Sequence, residues 1–225
     1  MLRGYMPMTE VIRKPGRPKD PELKNRREAE ILAAAAKLFA DQGFANTQIQ
    51  GIAESLGISH GTIYSYFPTK EALFLATVER GLADLTTIMD TVIAAENPPL
   101  DLLRGAIRAY LRFFHDRPEM AELFIQERAA FPHHHRPLYF SNKDEHECRK
   151  HDDFFRRLQG AGVLRPMPQE RFMAVIADLL YGTILTNLLS GRPVDPEAQA
   201  EDVFDVIGHG VLADAERKRH TEKST

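Results

Sequence analysis

Apolar residues recur along this chain at the three-to-four spacing of helices with one buried stripe. No stretch shows the strict alternation of a half-buried strand. The first stripe, Ile31, Leu32, Ala35, Leu38 and Phe39, predicts a helix over about residues 21–42 that Gly43 terminates. Ile49, Ile52, Ala53 and Leu56 predict a short second helix, with Thr47 and Gln50 at the T-x-x-Q spacing of a capping box. Gly57 supplies the left-handed residue that ends it. Ser59 can cap a third helix that turns Ile63 and Phe67 inward. Thr69 caps a long fourth helix through Leu73, Val78, Leu82, Leu85 and Met89, which Asn97-Pro98-Pro99 breaks.

Beyond residue 100 helix and punctuation alternate. Leu103, Ile107, Leu111 and Phe114 mark a helix over 100–115, and Pro118, suited to a first helical position, opens one over 119–130. FPHHHRP, residues 131–137, reads as a loop, followed by a polar helix over 141–158 that Gly160 and Gly162 end. Pro168 opens an apolar helix to 189, stopped by Gly191-Arg192-Pro193. Asp195-Pro196-Glu197 combines cap, proline and an acid near the positive dipole end, and starts a last helix that reaches about residue 215. Residues 1–20, rich in Pro, Gly and basic side chains without periodicity, read as a flexible basic arm, and 217–225 as a frayed tail. The fold class is all-α, with roughly nine helices.

The third helix is too short to need the side chains it carries. Once Ile63 and Phe67 are given to packing, His60, Gly61, Thr62, Tyr64, Ser65 and Tyr66 are left over, a small polar and phenolic face suited to touching something. In a helix-turn-helix the second helix of the pair enters the DNA major groove. The segment GTIYSYFPTKEAL resembles the signature that closes the DNA-binding domain of the TetR/AcrR family of bacterial repressors. The likeness runs upstream through ILAAAAKLFADQGFANTQIQGIAESLGIS and covers about 55 residues, Arg27 to Ala83. It includes the F-x-x-x-G-[FY]-x-x-T spacing of Phe39, Gly43, Phe44 and Thr47, the IAxxLGIS turn and the YxYFPxK close, in order.

The resemblance implies an N-terminal three-helix DNA-binding domain over 21–68 and a helical effector-binding and dimerisation domain over 69–216. It also implies a homodimer on a palindromic double-stranded DNA operator, released by a small molecule. It places DNA contacts at Thr47, Ser59, His60, Gly61, Thr62, Tyr64, Tyr66 and Lys70. Gly61 would let the backbone approach the duplex, with His60 and Thr62 beside it near base edges. Tyr64 and Tyr66 offer hydroxyls to phosphate, as does Lys70 at the start of the fourth helix. Many family members carry Lys where this chain has His60, which makes that contact absent or pH-dependent here. An ordinary surface helix with its tyrosine rings in the core is the competing account. In the arm, Arg17 sits in a G-R-P core resembling an AT-hook, able to enter a narrow minor groove; a solvated tail is the simpler account.

Charge agrees with this division. Net charge is −3, but residues 1–27 hold 8 Lys/Arg against 3 Asp/Glu, while 81–225 hold 18 against 23. One cysteine, Cys148, excludes an intrachain disulfide, and no signal-peptide run opens the chain, so a cytoplasmic setting is expected. Residues 172–189 are the most apolar segment, but Asp178, Thr183, Thr186 and Asn187 favour a buried helix over a membrane span. No nucleophile elbow, phosphate loop, dinucleotide fingerprint or H-E-x-x-H occurs, so neither an enzyme nor a cofactor is expected.

Within the second domain, Tyr110, Phe114, Phe124, Glu127, Phe131, Phe172, Ile176 and Leu180 are candidate lining of a mainly apolar effector pocket. The last two helices, with Val203, Phe204, Val206, Ile207 and Val211 on the final one, are the candidate dimer surface, and Leu180 and Ile207 the positions expected to face the partner. His133, His134, His135, His146, Cys148 and His151 fall within 19 residues, yet without C-x-x-C or H-x-x-x-H spacing. A polar loop and a solvated helix face account for them, and no metal site is assigned. Two alternatives stay open: a metal-responsive regulator using the 133–151 cluster, and a helical small-molecule-binding protein whose DNA binding has decayed.

Overall fold

The computed structural model describes residues 21–132, 138 and 145–209, with 145–149 as backbone. Among the described residues lie α1 (Pro21–Gln42), α2 (Ile49–Ser55), α3 (His60–Tyr66), α4 (Lys70–Ala94), α5 (Pro99–Asp116), α6 (Pro118–Ala130), α7 (Glu145–Gly160), α8 (Gln169–Ser190) and α9 (Pro196–His209), and no strand. The all-α expectation holds. The basic arm with Arg17, the histidines at 133–135, His146 and Cys148 side chains, Val211 and the tail lie outside the described side chains.

The first three helices close around Phe39, Ile52 and Ile63, each almost wholly buried. Gly43, at φ 79°, turns the chain out of α1, and its N–H donates to Phe39 O at 2.9 Å. The expected capping box at α2 does not form. Gln48 occupies the cap position without a side-chain bond, and Gln50 donates instead to Glu54. Thr47 is turned inward, 2% exposed, its hydroxyl within bonding distance of Leu38 O (3.2 Å) and Gly43 O (2.8 Å). Those carbonyls, at the end of α1 and in its turn, need a donor inside the core, and this need outcompetes the cap. Ser59 and Thr69 do cap, accepting from Thr62 N–H and Ala72 N–H at 3.1 and 3.0 Å.

α4 has 25 residues, which at helical rise spans about 37 Å. It leaves the α1–α3 unit and runs on beside α5 and α6. Gly81 permits that approach: a Cβ there would lie 2.0 Å from Met120 Cε on α6. α9 docks on α5 through Ala200 and Val203 and through an arginine ladder. Arg108 pairs with Glu197 and Glu201, both at 2.8 Å, Arg112 reaches Glu197 at 3.2 Å, and Arg104 lies over the Phe204 ring.

α8 departs from expectation. Only Phe172, Leu180 and Ile184 are buried, and 17% of its most apolar window is covered, although by length and composition this helix could cross a membrane. Its apolar side chains ring more than one face, and a single face packs inside the protomer. Val175 and Leu189 stand 58% and 76% exposed. Asn187 and Gln199 exchange side-chain amide bonds at 2.7 and 3.1 Å, tying α8 to α9.

Candidate functional site

α3 presents the face left over by packing. Ile63 and Phe67 point inward, while His60, Gly61, Tyr64 and Ser65 are exposed, with the His60 and Tyr64 rings edge to face at 4.6 Å one turn apart. Tyr66 is half-buried beside Phe67. The hydroxyls of this helix serve its own backbone. Ser59 Oγ caps and shares a 2.8 Å hydrogen bond with Thr62 Oγ1, and Ser65 Oγ donates to Thr62 O. Gly61 has no packing reason: a Cβ would meet nothing nearer than Ser59 Oγ at 3.9 Å.

The structure thus gathers Ser59, His60, Gly61, Thr62, Tyr64 and Tyr66 on α3 and its cap, and separates two expected members from them. Thr47 spends its hydroxyl inside the core, and its N–H donates to Gly43 O. Lys70 turns back on the α1–α2 turn, where Nζ donates to Ala45 O (3.1 Å) and Thr47 O (3.2 Å) and lies 4.7 Å from the Phe44 ring centre. In this arrangement Lys70 is a brace.

One side chain missed by sequence reasoning is Gln126 of α6. Its Oε1 accepts from Phe44 N–H and its Nε2 donates to Phe39 O, both at 2.9 Å. Phe131, at the C-terminal end of the same helix, packs on Phe44 and Phe74 at 5.2 and 5.7 Å. The end of α1 is therefore clamped to α6 by an amide and a ring. No local signal marks Gln126, because its partners lie more than eighty positions away.

A cavity of about 710 Å³ lies among α4, α5, α7 and α8. Of the candidate lining residues, Tyr110, Phe172, Ile176 and Leu180 line it. Phe114, Phe124, Glu127 and Phe131 do not. Phe114 and Phe124 belong to a solid aromatic cluster with Tyr110 and Phe113, and Phe131 faces Phe44. Glu127 is 1% exposed and accepts the Leu138 N–H at 2.9 Å, holding a residue that itself lines the cavity. Burial, followed by the Glu127 charge, raises the Tyr181 pKa, so that phenol stays neutral. The sequence reading also missed the charged wall: Asp90 of α4 and Lys150 of α7 line the cavity and form an ion pair with each other. A second hollow of about 680 Å³ adjoins the first and shares Asp90, Ile93, Lys150 and Phe154 with it. Among the described residues no three metal-ligating side chains converge.

The family model for bacterial regulatory proteins of the tetR family matches residues 31–77, which is α1 from Ile31 through the first turns of α4. The regulator RutR of Escherichia coli K12 is 34% identical over 100 residues, covering 44% of this chain and 47% of RutR. The chain aligns with less than half the length of the curated relatives it matches. Likeness of fold extends further. The fatty acid degradation regulator FadR of Bacillus halodurans superposes with a TM-score of 0.69 at 15% identity, covering 87% of this chain and 98% of that one. FadR of Bacillus subtilis, solved with stearoyl-CoA, gives 0.60 at 17% identity over 82% and 99%. At these identities the structures speak for the fold alone.

Proposed function

We propose that the chain, whose residues 31–77 match the tetR-family model, is a cytoplasmic, ligand-responsive transcriptional repressor of that family that grips a palindromic operator as a homodimer. Residues 21–68 are the DNA reader, and 69–216 bind the effector and form the dimer. α3 enters the major groove. The observation that carries this is the pairing of an exposed His60–Tyr64 face with a glycine at 61 that nothing inside the protein requires. A helix position kept bare without an internal neighbour suits the approach of an external surface.

A small, mainly apolar effector occupies the cavity beside α4. Its volume and its apolar majority are those of pockets for drug-sized molecules, and a neighbour of the same fold holds stearoyl-CoA. Two elements transmit occupancy to the reader: α4, whose first turn abuts α3 and whose middle lines the cavity, and α6, through Gln126. The effector releases DNA to the extent that it prefers a conformation in which the two readers no longer match the operator.

Selection of bound sequences from random duplex DNA tests the reading. Sites with dyad symmetry, bound with an affinity that falls steeply with salt, are expected. Failure to enrich any duplex sequence at low salt overturns the regulator in favour of a small-molecule-binding protein with decayed DNA binding.

A further inference from the structure

We propose that the effector is an amphipathic anion, its apolar chain in the inner cavity and its acidic head on Lys150, where it displaces Asp90. This rests on the effector reading above and names the ligand class for that same cavity. Among the described residues, Lys150 is the one lysine or arginine that lines the inner hollow. It and Asp90 form the ion pair on the wall shared with the outer hollow, and both side chains are about one-third exposed (32% and 34%). A pair that open to water contributes little to stability. Exchange of one member for a ligand charge therefore costs little, and the ligand's apolar body adds burial in the inner cavity.

The neighbours decide which member leaves. α7 carries Arg156 and Arg157 into the outer hollow beside Lys150. Arg156 pairs with Asp153 of its own helix, while Arg157 donates to Ile93 O and Ala95 O, which are neutral groups. A ligand cation that took Asp90 would push Lys150 toward these guanidiniums. A ligand anion that took Lys150 would release Asp90 to the outer hollow, where the same cations accept it. The other acid of the inner lining among the described residues, Glu79, stands eleven residues back along α4, about 16 Å by helical rise, too far to repel the head. A larger, phosphate-bearing head continues into the outer hollow along Arg156 and Arg157.

Calorimetric titration of the full chain with decanol, decylamine, decanoate and decanoyl-CoA, each below its micelle concentration, tests this. Decanoate, decanoyl-CoA or both should bind at least about tenfold more tightly than the alcohol and the amine, as expected for one charge-assisted hydrogen bond. Preference for the free acid puts a carboxylate on Lys150; preference for the thioester puts phosphates on the outer arginines. Lys150→Gln should erase the margin and leave decanol binding unchanged. Asp90→Asn should widen it, whereas at a cation site that change would abolish amine binding. An amine that binds as tightly as the acids, or a margin that survives Lys150→Gln, overturns the inference. If alcohol and acids bind alike, the anion subsite is wrong and the effector cavity stands; if none of the four binds, both fall.

Discussion

At the scale of single residues, Lys70 and Gly61 show how a likeness in sequence and a position in space can assign different work. Lys70 stands where the YxYFPxK signature implies a phosphate contact, but its ammonium is held by two carbonyls of the α1–α2 turn and the Phe44 ring. Lys70→Met should therefore destabilise the free protein by about 1–2 kcal/mol, the net value of charge-assisted bonds plus a cation–π contact at a partly exposed site. It should leave the dependence of DNA affinity on salt almost unchanged. A slope lower by about one, with an unaltered melting temperature, would return Lys70 to the DNA. Gly61 predicts the reverse pattern. An alanine Cβ meets open space, so Gly61→Ala should keep or slightly raise the melting temperature, by helix propensity, while operator affinity falls. Unchanged affinity removes Gly61 from the interface. The outward set on α3 was legible in the sequence because packing needs are local there: Ile63 and Phe67 account for the inner face, and the rest follows by subtraction. The inward turn of Thr47 was not, since it answers the carbonyls of Leu38 and Gly43, whose exposure depends on how α1 ends in three dimensions.

At the scale of elements, α6 is the piece whose role depends on contacts across the fold. Periodicity predicts its existence and its proline start, and Pro118–Ala130 is what forms. Nothing local reveals that Gln126 faces the end of α1, or that Glu127 turns from a presumed pocket toward Leu138. Adjacent residues of one helix thus hold the reader and a residue of the cavity wall. Gln126→Ala should leave the Phe44 N–H and Phe39 C=O without this partner. Phe39 C=O keeps the Gly43 N–H, so the cost should be about 1–2 kcal/mol, that of one half-buried N–H left without a protein acceptor. If the amide is a coupling contact, the variant should bind an effector as before but show a smaller change in operator affinity on binding it. Titration of operator DNA with and without ligand measures that ratio directly. A ratio equal to that of the unaltered protein would leave α4 as the sole transmitting element. The same reasoning explains why half of the candidate lining lies away from this cavity. Tyr110, Phe172, Ile176 and Leu180 lie on the cavity side of their helices, while Phe114 and Phe124 fill a solid cluster. Both groups are large, mainly apolar side chains at helical spacing, and only the packing of the helices against one another tells them apart.

At the scale of the whole molecule, the apolar face of α8 calls for a partner. Val175 and Leu189 are fourteen residues apart, nearly four full turns, and so share a face; Gly182 lies midway between them, exposed. A Cβ at 182 meets no atom of its own protomer within 4 Å. On α9, Val206 is likewise open, at 45%. Helices with this pattern fit a four-helix bundle made by two copies, with the bare backbone at 182 allowing the partner to come close. One position expected from sequence needs revision: Leu180 is 7% exposed and lines the cavity, so Leu180→Glu would damage the protomer and report nothing about association. Gly182→Leu is the sharper probe. Within one protomer the new side chain has room and a better helix propensity than glycine, so secondary structure should be retained and the fold should not suffer. Between protomers it should obstruct the approach and shift the protein from dimer to monomer at micromolar concentration in light scattering. Operator affinity should fall with it, because half-sites about 34–36 Å apart are bound together only by a linked pair of readers. A Gly182→Leu protein that remains dimeric and still binds its operator would place the partner on another face and leave the exposure of Val175 and Leu189 without this explanation.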